Sequence, residues 1–192
     1  GGSCSSGTSS ASSGTNSISF STLSEGTYSN CTITVTDSAG NASSALSVNT
    51  FVVDTTAPTL SQATAVTNPT NDTTPSYVFS SNEAGTISYG GSCSSSTTSA
   101  SSGNNSITFN TLSENTYSNC TITVTDTASN ASSALSVNTF VVDTTAATVA
   151  EVTVVTTLSN DNTPSYTFSS NEAGTIPYGG SCSSSTTSAT SG

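Results

Sequence analysis

A fixed period of 89 residues constrains this chain more than any other feature. Gly1-Gly2-Ser3-Cys4 returns as Gly90-Gly91-Ser92-Cys93 and again as Gly179-Gly180-Ser181-Cys182. Residues 1–89 and 90–178 agree at 69 of 89 positions. A period of about 20–50 residues would point to a solenoid whose units cannot fold alone. Eighty-nine residues is instead the size of one small β-sandwich. The chain therefore reads as a tandem array of near-identical domains, an organisation that supplies length, display or adhesion.

Charge narrows the function further. There is no Lys, Arg or His, against 11 Asp and Glu. Nucleic-acid binding needs cations to replace phosphate counterions, so that partner is excluded. Polybasic attachment to an anionic membrane fails for the same reason. Without His or Lys there is no ordinary general base, no Ser-His-Asp triad and no Schiff-base amine. Carboxylate-pair hydrolysis is the remaining option, and the chain is not expected to be an enzyme. No apolar run approaches the ~20 residues of a membrane span, and no signal-peptide pattern is present. A secretion signal, an anchor and any specialised tip are expected outside these residues. Ser and Thr make up 84 of the 192 residues, as in a disordered mucin-like stalk. Regular alternation of apolar residues through that background argues for folded strands instead.

The cysteines set the compartment. Cys4 and Cys31 are 27 residues apart, as are Cys93 and Cys120, while Cys182 has no partner at that spacing. This regularity reads as one disulfide per domain, and hence as secretion to the cell surface or beyond. A metal role for the thiols is weak, since each repeat offers two of them and no His. Closing such a loop contributes roughly 3–4 kcal/mol in the chain-entropy account. That is substantial for a domain too small to bury a large core.

The fold class expected is all-β: tandem Greek-key sandwiches of about seven strands. Residues 1–54 are the C-terminal part of one domain, 55–143 a complete domain, and 144–192 the N-terminal part of the next. In the complete unit, strand A covers roughly 59–66, B 76–80, C 86–89, E 106–109 and F 120–125. Strand G holds Leu135, Val137, Phe140 and Val142. Period-2 alternation, as in Tyr77 and Phe79 or Ile122 and Val124, marks strands with one buried face. The step from Val137 to Phe140 breaks it, so a bulge is expected near Asn138-Thr139. Asp126-Thr127-Ala128-Ser129-Asn130 reads as hairpin punctuation. Cys120 shares a face with Ile122 and Val124, which places the bridge between C and F of one sheet.

Particular motifs carry a family resemblance. Val53-Asp54-Thr55-Thr56-Ala57-Pro58-Thr59, Asn71-Asp72-Thr73-Thr74-Pro75, Gly90-Gly91-Ser92-Cys93, Leu112-Ser113-Glu114-Asn115-Thr116-Tyr117 and Thr123-Val124-Thr125-Asp126 resemble bacterial Ig-like repeats. Such repeats build the stalks of giant surface adhesins and related extracellular fibres, and the resemblance spans the chain. The Leu-to-Tyr segment also resembles the tyrosine corner of Ig and fibronectin-type sandwiches. The second boundary, Asp143-Thr144-Thr145-Ala146-Ala147, lacks the Pro, which implies a less stiff junction.

Carboxylates recur at matching positions, nearly all in expected turns. Their first reading is turn formation by Asp and Asn side chains. The alternative is calcium, which takes six to eight oxygen ligands. Head-to-tail stacking is expected to gather Glu25, Asp54, Glu83 and Asp126 at the first junction. At the next it would gather Asp72, Glu114, Asp143 and Glu172. The resemblance points the same way, because related stalks are stiffened by calcium at their linkers.

Two functions remain open. The leading one is a structural extracellular fibre or adhesin stalk, whose partners are neighbouring identical domains, lateral copies or surface ligands. The alternative is a carbohydrate- or protein-binding module. That alternative calls for loops that differ between copies, yet 9 of the 20 differences fall in 58–70 against 147–159, around strand A. The two ends are complementary parts of one sandwich. They read first as a stretch of a longer continuous chain and second as strand exchange between chains. The preference rests on the shared segments 1–14 and 179–192, which would compete for one place.

Overall fold

The computed structural model describes all 192 residues, and every regular element in it is a β-strand. Residues 1–54 contribute β1 (Gly26–Tyr28), β2 (Thr32–Ile33), β3 (Leu46–Ser47) and β4 (Phe51–Val53). Residues 55–143 contribute β5 (Leu60–Thr64), β6 (Ser76–Ser81), β7 (Gly85–Gly90), β8 (Ser99–Ala100), β9 (Gly103–Thr108), β10 (Asn115–Tyr117), β11 (Thr121–Thr125), β12 (Leu135–Ser136) and β13 (Phe140–Val142). Residues 144–192 contribute β14 (Val149–Thr153), β15 (Thr167–Ser170), β16 (Gly174–Thr175) and β17 (Ser188–Ala189).

The middle unit is a sandwich of two antiparallel sheets. One has the order β5-β6-β9 and the other β12-β11-β7-β8, with β10 and β13 forming a further pair. Alternation decides which side chains face inward. Tyr77 and Phe79 of β6 are fully buried, as are Ile122 and Val124 of β11. Phe109, Ile107, Phe140 and Val142 complete the centre of a single cluster. Removing each large apolar side chain from water is worth about 1.5–3 kcal/mol. Aromatic rings run through this core in series, with centroids 6.5 Å apart for Tyr77–Phe109, 6.1 Å for Phe109–Phe140 and 5.2 Å for Tyr117–Phe140.

β7 and β11 lie side by side, with Gly90 opposite Thr121. Cys93, just beyond β7, is bonded to Cys120, just before β11, so the bridge staples neighbouring strands of one sheet. Cys4–Cys31 is its counterpart, and Cys182 is a free thiol. The glycines of the repeat signature have a steric cause. Gly91 has φ +74°, and a Cβ there would lie 2.0 Å from the Asn119 carbonyl oxygen. No side chain is tolerated at that position.

The expected bulge near Asn138-Thr139 is absent. Ile122 opposite Leu135 and Tyr117 opposite Phe140 belong to one unbroken register. Both strands simply pause, linked by the Val137 N–H donating to the Cys120 carbonyl at 2.9 Å. Asn138 turns away to bind Val66, accepting its N–H at 2.9 Å and donating to its carbonyl at 3.0 Å. Loss of alternation in the sequence thus reflects a side chain recruited as a backbone mimic. The register shift in this unit lies elsewhere, between Gln62 and Thr64 of β5.

The flanking units are less complete. Residues 1–54 bury only Cys4, Tyr28 and Cys31, with Phe20, Leu23, Val48, Phe51 and Val53 packed around them. In residues 144–192, β14 pairs with β15 and β16 with β17, and no apolar side chain is buried.

Candidate metal centre at the domain junction

Three loops converge where the first unit joins the second. Asp54 ends the first unit, immediately after β4. Glu83 sits in the turn between β6 and β7, and Asp126 follows β11. One carboxylate oxygen from each lies within 4.8 Å of the others, and all three residues are half-buried. Each is held by local hydrogen bonds. Asp126 accepts the Asn130 N–H at 2.8 Å and the Asn130 side-chain amide at 2.9 Å. That same amide reaches across the junction to the Asp54 carbonyl at 3.1 Å. Asp54 accepts the Thr56 N–H at 3.1 Å, and Glu83 accepts the Asn82 amide at 3.1 Å.

Burial pushes the Asp126 carboxyl up. Hydrogen bonds from the Asn130 side chain and N–H, then from Ala128 and Ser129, outweigh it and leave its pKa below the ordinary aspartate value. Asp126 is therefore held as a carboxylate at neutral pH. Two like unit charges 4 Å apart repel by about 1 kcal/mol in water and by about 4 kcal/mol at an effective dielectric constant near 20. The chain contains no side-chain cation to relieve this.

The donor set fits a hard divalent cation. It is all oxygen, and an ionised carboxylate offers about four lone-pair positions, so each residue keeps acceptor capacity beyond its present bonds. Asp54, Glu83 and Asp126 would hold the ion. It would supply charge neutralisation between the linker and two loops of the following domain.

The other expected members do not join this cluster. Glu25 binds the linker itself, accepting the Thr55 hydroxyl at 3.3 Å and that of Thr56 as well. Glu114 repeats this at the second junction, accepting the Thr144 hydroxyl at 3.1 Å and the Thr145 hydroxyl at 2.8 Å. The Thr145 hydroxyl first, then the Thr144 hydroxyl and N–H, hold Glu114 below the ordinary glutamate pKa. Asp72, Glu114, Asp143 and Glu172 form no second group of three converging carboxylates. Asp72 forms a tight turn, accepting the Thr74 N–H at 2.8 Å and the Thr74 hydroxyl at 3.1 Å. Asp143 accepts the Thr145 N–H at 3.1 Å, and Glu172 accepts the Asn171 amide at 3.2 Å. Asp143 and Glu172 are the counterparts of Asp54 and Glu83. The counterpart of Asp126 would fall one period later, outside residues 1–192.

The physical reason for the difference is which rim each loop occupies. The cluster belongs to one rim of the middle unit plus the incoming linker. Glu25 and Glu114 instead reach forward from the loops before β1 and β10 to grip the linker leaving their own domain. Sequence reasoning missed this clamp, although its signal was present: a Glu placed 30 residues before a Thr-Thr pair, at both boundaries. In both units a tyrosine hydroxyl donates to the carbonyl four residues earlier, Tyr117 to Ser113 at 2.9 Å and Tyr28 to Ser24 at 2.7 Å. Comparison with known protein families, curated proteins and solved structures found no match to this chain.

Proposed function

We propose that this chain is a segment of a repetitive extracellular fibre or adhesin stalk, built from Ig-like domains whose junctions are stiffened by calcium. One observation carries the reading: the linker is gripped from both sides. Glu25 of the preceding unit binds Thr55 and Thr56, while Asn130 of the following unit binds Asp54. A linker tied at both ends transmits orientation from copy to copy, which a stalk needs. The repeat supports this use, since each added copy contributes length without new chemistry. Disulfides in successive units fit an oxidising compartment.

Electron microscopy of the native material tests the fibre. Long threads with a regular domain repeat are expected, whereas isolated globular particles would sink the reading. Calcium is tested separately by small-angle scattering and thermal melting of the chain with calcium and with chelator. Chelation is expected to increase bending at the first junction. Identical scattering and melting in both conditions would reduce Asp54, Glu83 and Asp126 to turn formers.

A further inference from the structure

Every strand pairing in this molecule is antiparallel but one. The ladders all run antiparallel, whereas Thr70 meets Val142 in a parallel bridge. The exception joins the entry of the complete unit to its exit. Segment 66–70 follows β5, and segment 138–143 runs through β13 into the outgoing linker.

Two main-chain hydrogen bonds tie these segments at Thr70. Its N–H donates to the Val141 carbonyl, and its carbonyl accepts the Asp143 N–H, both at 2.9 Å. Side-chain amides extend the set in place of a strand. Asn68 Oδ1 accepts the Val141 N–H at 2.9 Å. Asn138 holds both main-chain groups of Val66, and Val66 is itself sunk in the core.

Direction decides what such bonds do under load. An antiparallel hairpin pulled at its open ends parts one bond at a time. Two parallel segments pulled from opposite ends must slide past each other, so bonds lying across the pull strain together. We infer that segments 66–70 and 138–143 form the tension lock of the unit, with Asn68 and Asn138 sharing the load. β5 is no substitute for it. That edge strand is exposed beyond Leu60 and interrupted by a register shift, so it gives way first.

Copies differ at this lock. Asn138 matches Asn49 one period earlier, but Asn68 is replaced by Thr157 one period later. A copy with Thr there loses the amide acceptor, which grades the lock along the array. Opening it frees the chain only as far as the disulfide. Cys93 and Cys120 close a 27-residue span, withholding about 9 nm of extended chain. The bridge is therefore an extension stop. The inference rests on the fibre reading for its direction of load, but single chains test it. A lock found in material that is not fibrous would fail the fibre reading alone.

Constant-force spectroscopy of the 192-residue chain, held by handles at both ends, is the experiment. Asn138→Ala should shorten the middle unit's lifetime under load at least ~10-fold, a factor equivalent to 1.4 kcal/mol. Asn68→Thr copies the next repeat and leaves the core intact; it should shorten the lifetime by a smaller factor. Ile107→Val trims the core on β9, away from both segments. It should lower the melting temperature while leaving the lifetime nearly unchanged. Replacing Cys93 and Cys120 together by Ser should lengthen the middle unit's step by about 9 nm. Lifetimes unchanged in both Asn variants, or shortened as much by Ile107→Val, would overturn the lock. A step of unaltered length in the serine pair would overturn the stop.

Discussion

Residues 55–89 and 144–178 are near copies, yet they fold to different extents. β6 runs for six residues, while its counterpart β15 runs for four. β7 also runs for six, while β16 runs for two. Tyr77 and Phe79 are sealed from solvent, whereas Tyr166 is open. The sequences of β7 and its copy differ within the strand only by Ser88 against Pro177. Two things differ. β6 and β7 are completed by β9 and β11, whose counterparts for the copy would fall outside residues 1–192, and Pro177 brings no N–H to a ladder. Strand length here follows cross-strand partners as well as local propensity.

The comparison can be broken by paired substitutions. Phe79→Ala should cost the middle unit about 3–5 kcal/mol by opening a cavity in a packed core. Phe168→Ala should leave the same transition unmoved. Urea denaturation of both variants checks this, and equal losses would mean that the last unit folds with the middle one.

Next in size is the staple. Replacing Cys93 and Cys120 by Ser should cost roughly 3–4 kcal/mol in the middle unit's transition. The same change at Cys4 and Cys31 should shift that transition far less, since it loosens only the first unit. Differential scanning calorimetry separates the two.

A smaller effect sharpens a difference in the hairpin after β11. Ser129 has φ +74°, in the region that favours glycine, and its counterpart in the first unit is Gly40 with φ +88°. Ser129→Gly should raise stability by about 0.5 kcal/mol, the relief of strain being partly offset by a freer unfolded chain. A lower melting temperature would show that the Ser129 side chain contributes more than its backbone costs.

The last effect concerns bending rather than folding. Glu114 has a depressed pKa, so its grip on Thr144 and Thr145 is in place above the unfolded carboxyl value of 4.5. It is lost as pH falls through the still lower folded value. Scattering between pH 6 and pH 3 should show the second junction loosening in that acid window. Glu114→Gln should remove the acid-dependent change. Loosening that persists in the variant would assign it to other carboxylates.

Much of this architecture was legible beforehand because its causes are local. Alternation at Tyr77 and Phe79 or Ile122 and Val124 needs only the geometry of a strand. A repeated spacing between Cys93 and Cys120 needs only the period. The junction was legible in part. Asp54, Glu83 and Asp126 were gathered with Glu25, which the structure ties to Thr55 and Thr56 instead. Which carboxylates meet depends on how two rigid bodies are turned about Asp54, and no residue pattern encodes that angle directly. Asn138 shows the same limit at short range. Its sequence context broke the strand pattern, but only the approach of Val66 explains why the ladder pauses without changing register.

The Glu clamp has a consequence at larger scale. Glu25 with Thr55 and Thr56, and Glu114 with Thr144 and Thr145, place the same bonds at both linkers. In the fibre proposed above, a clamp of this kind at every linker would favour one relative orientation of successive domains. A fixed rotation and translation applied repeatedly trace a screw, and a head-to-tail contact that does not close generates a helical filament. Handedness and pitch would then be set at one linker and inherited along the whole array.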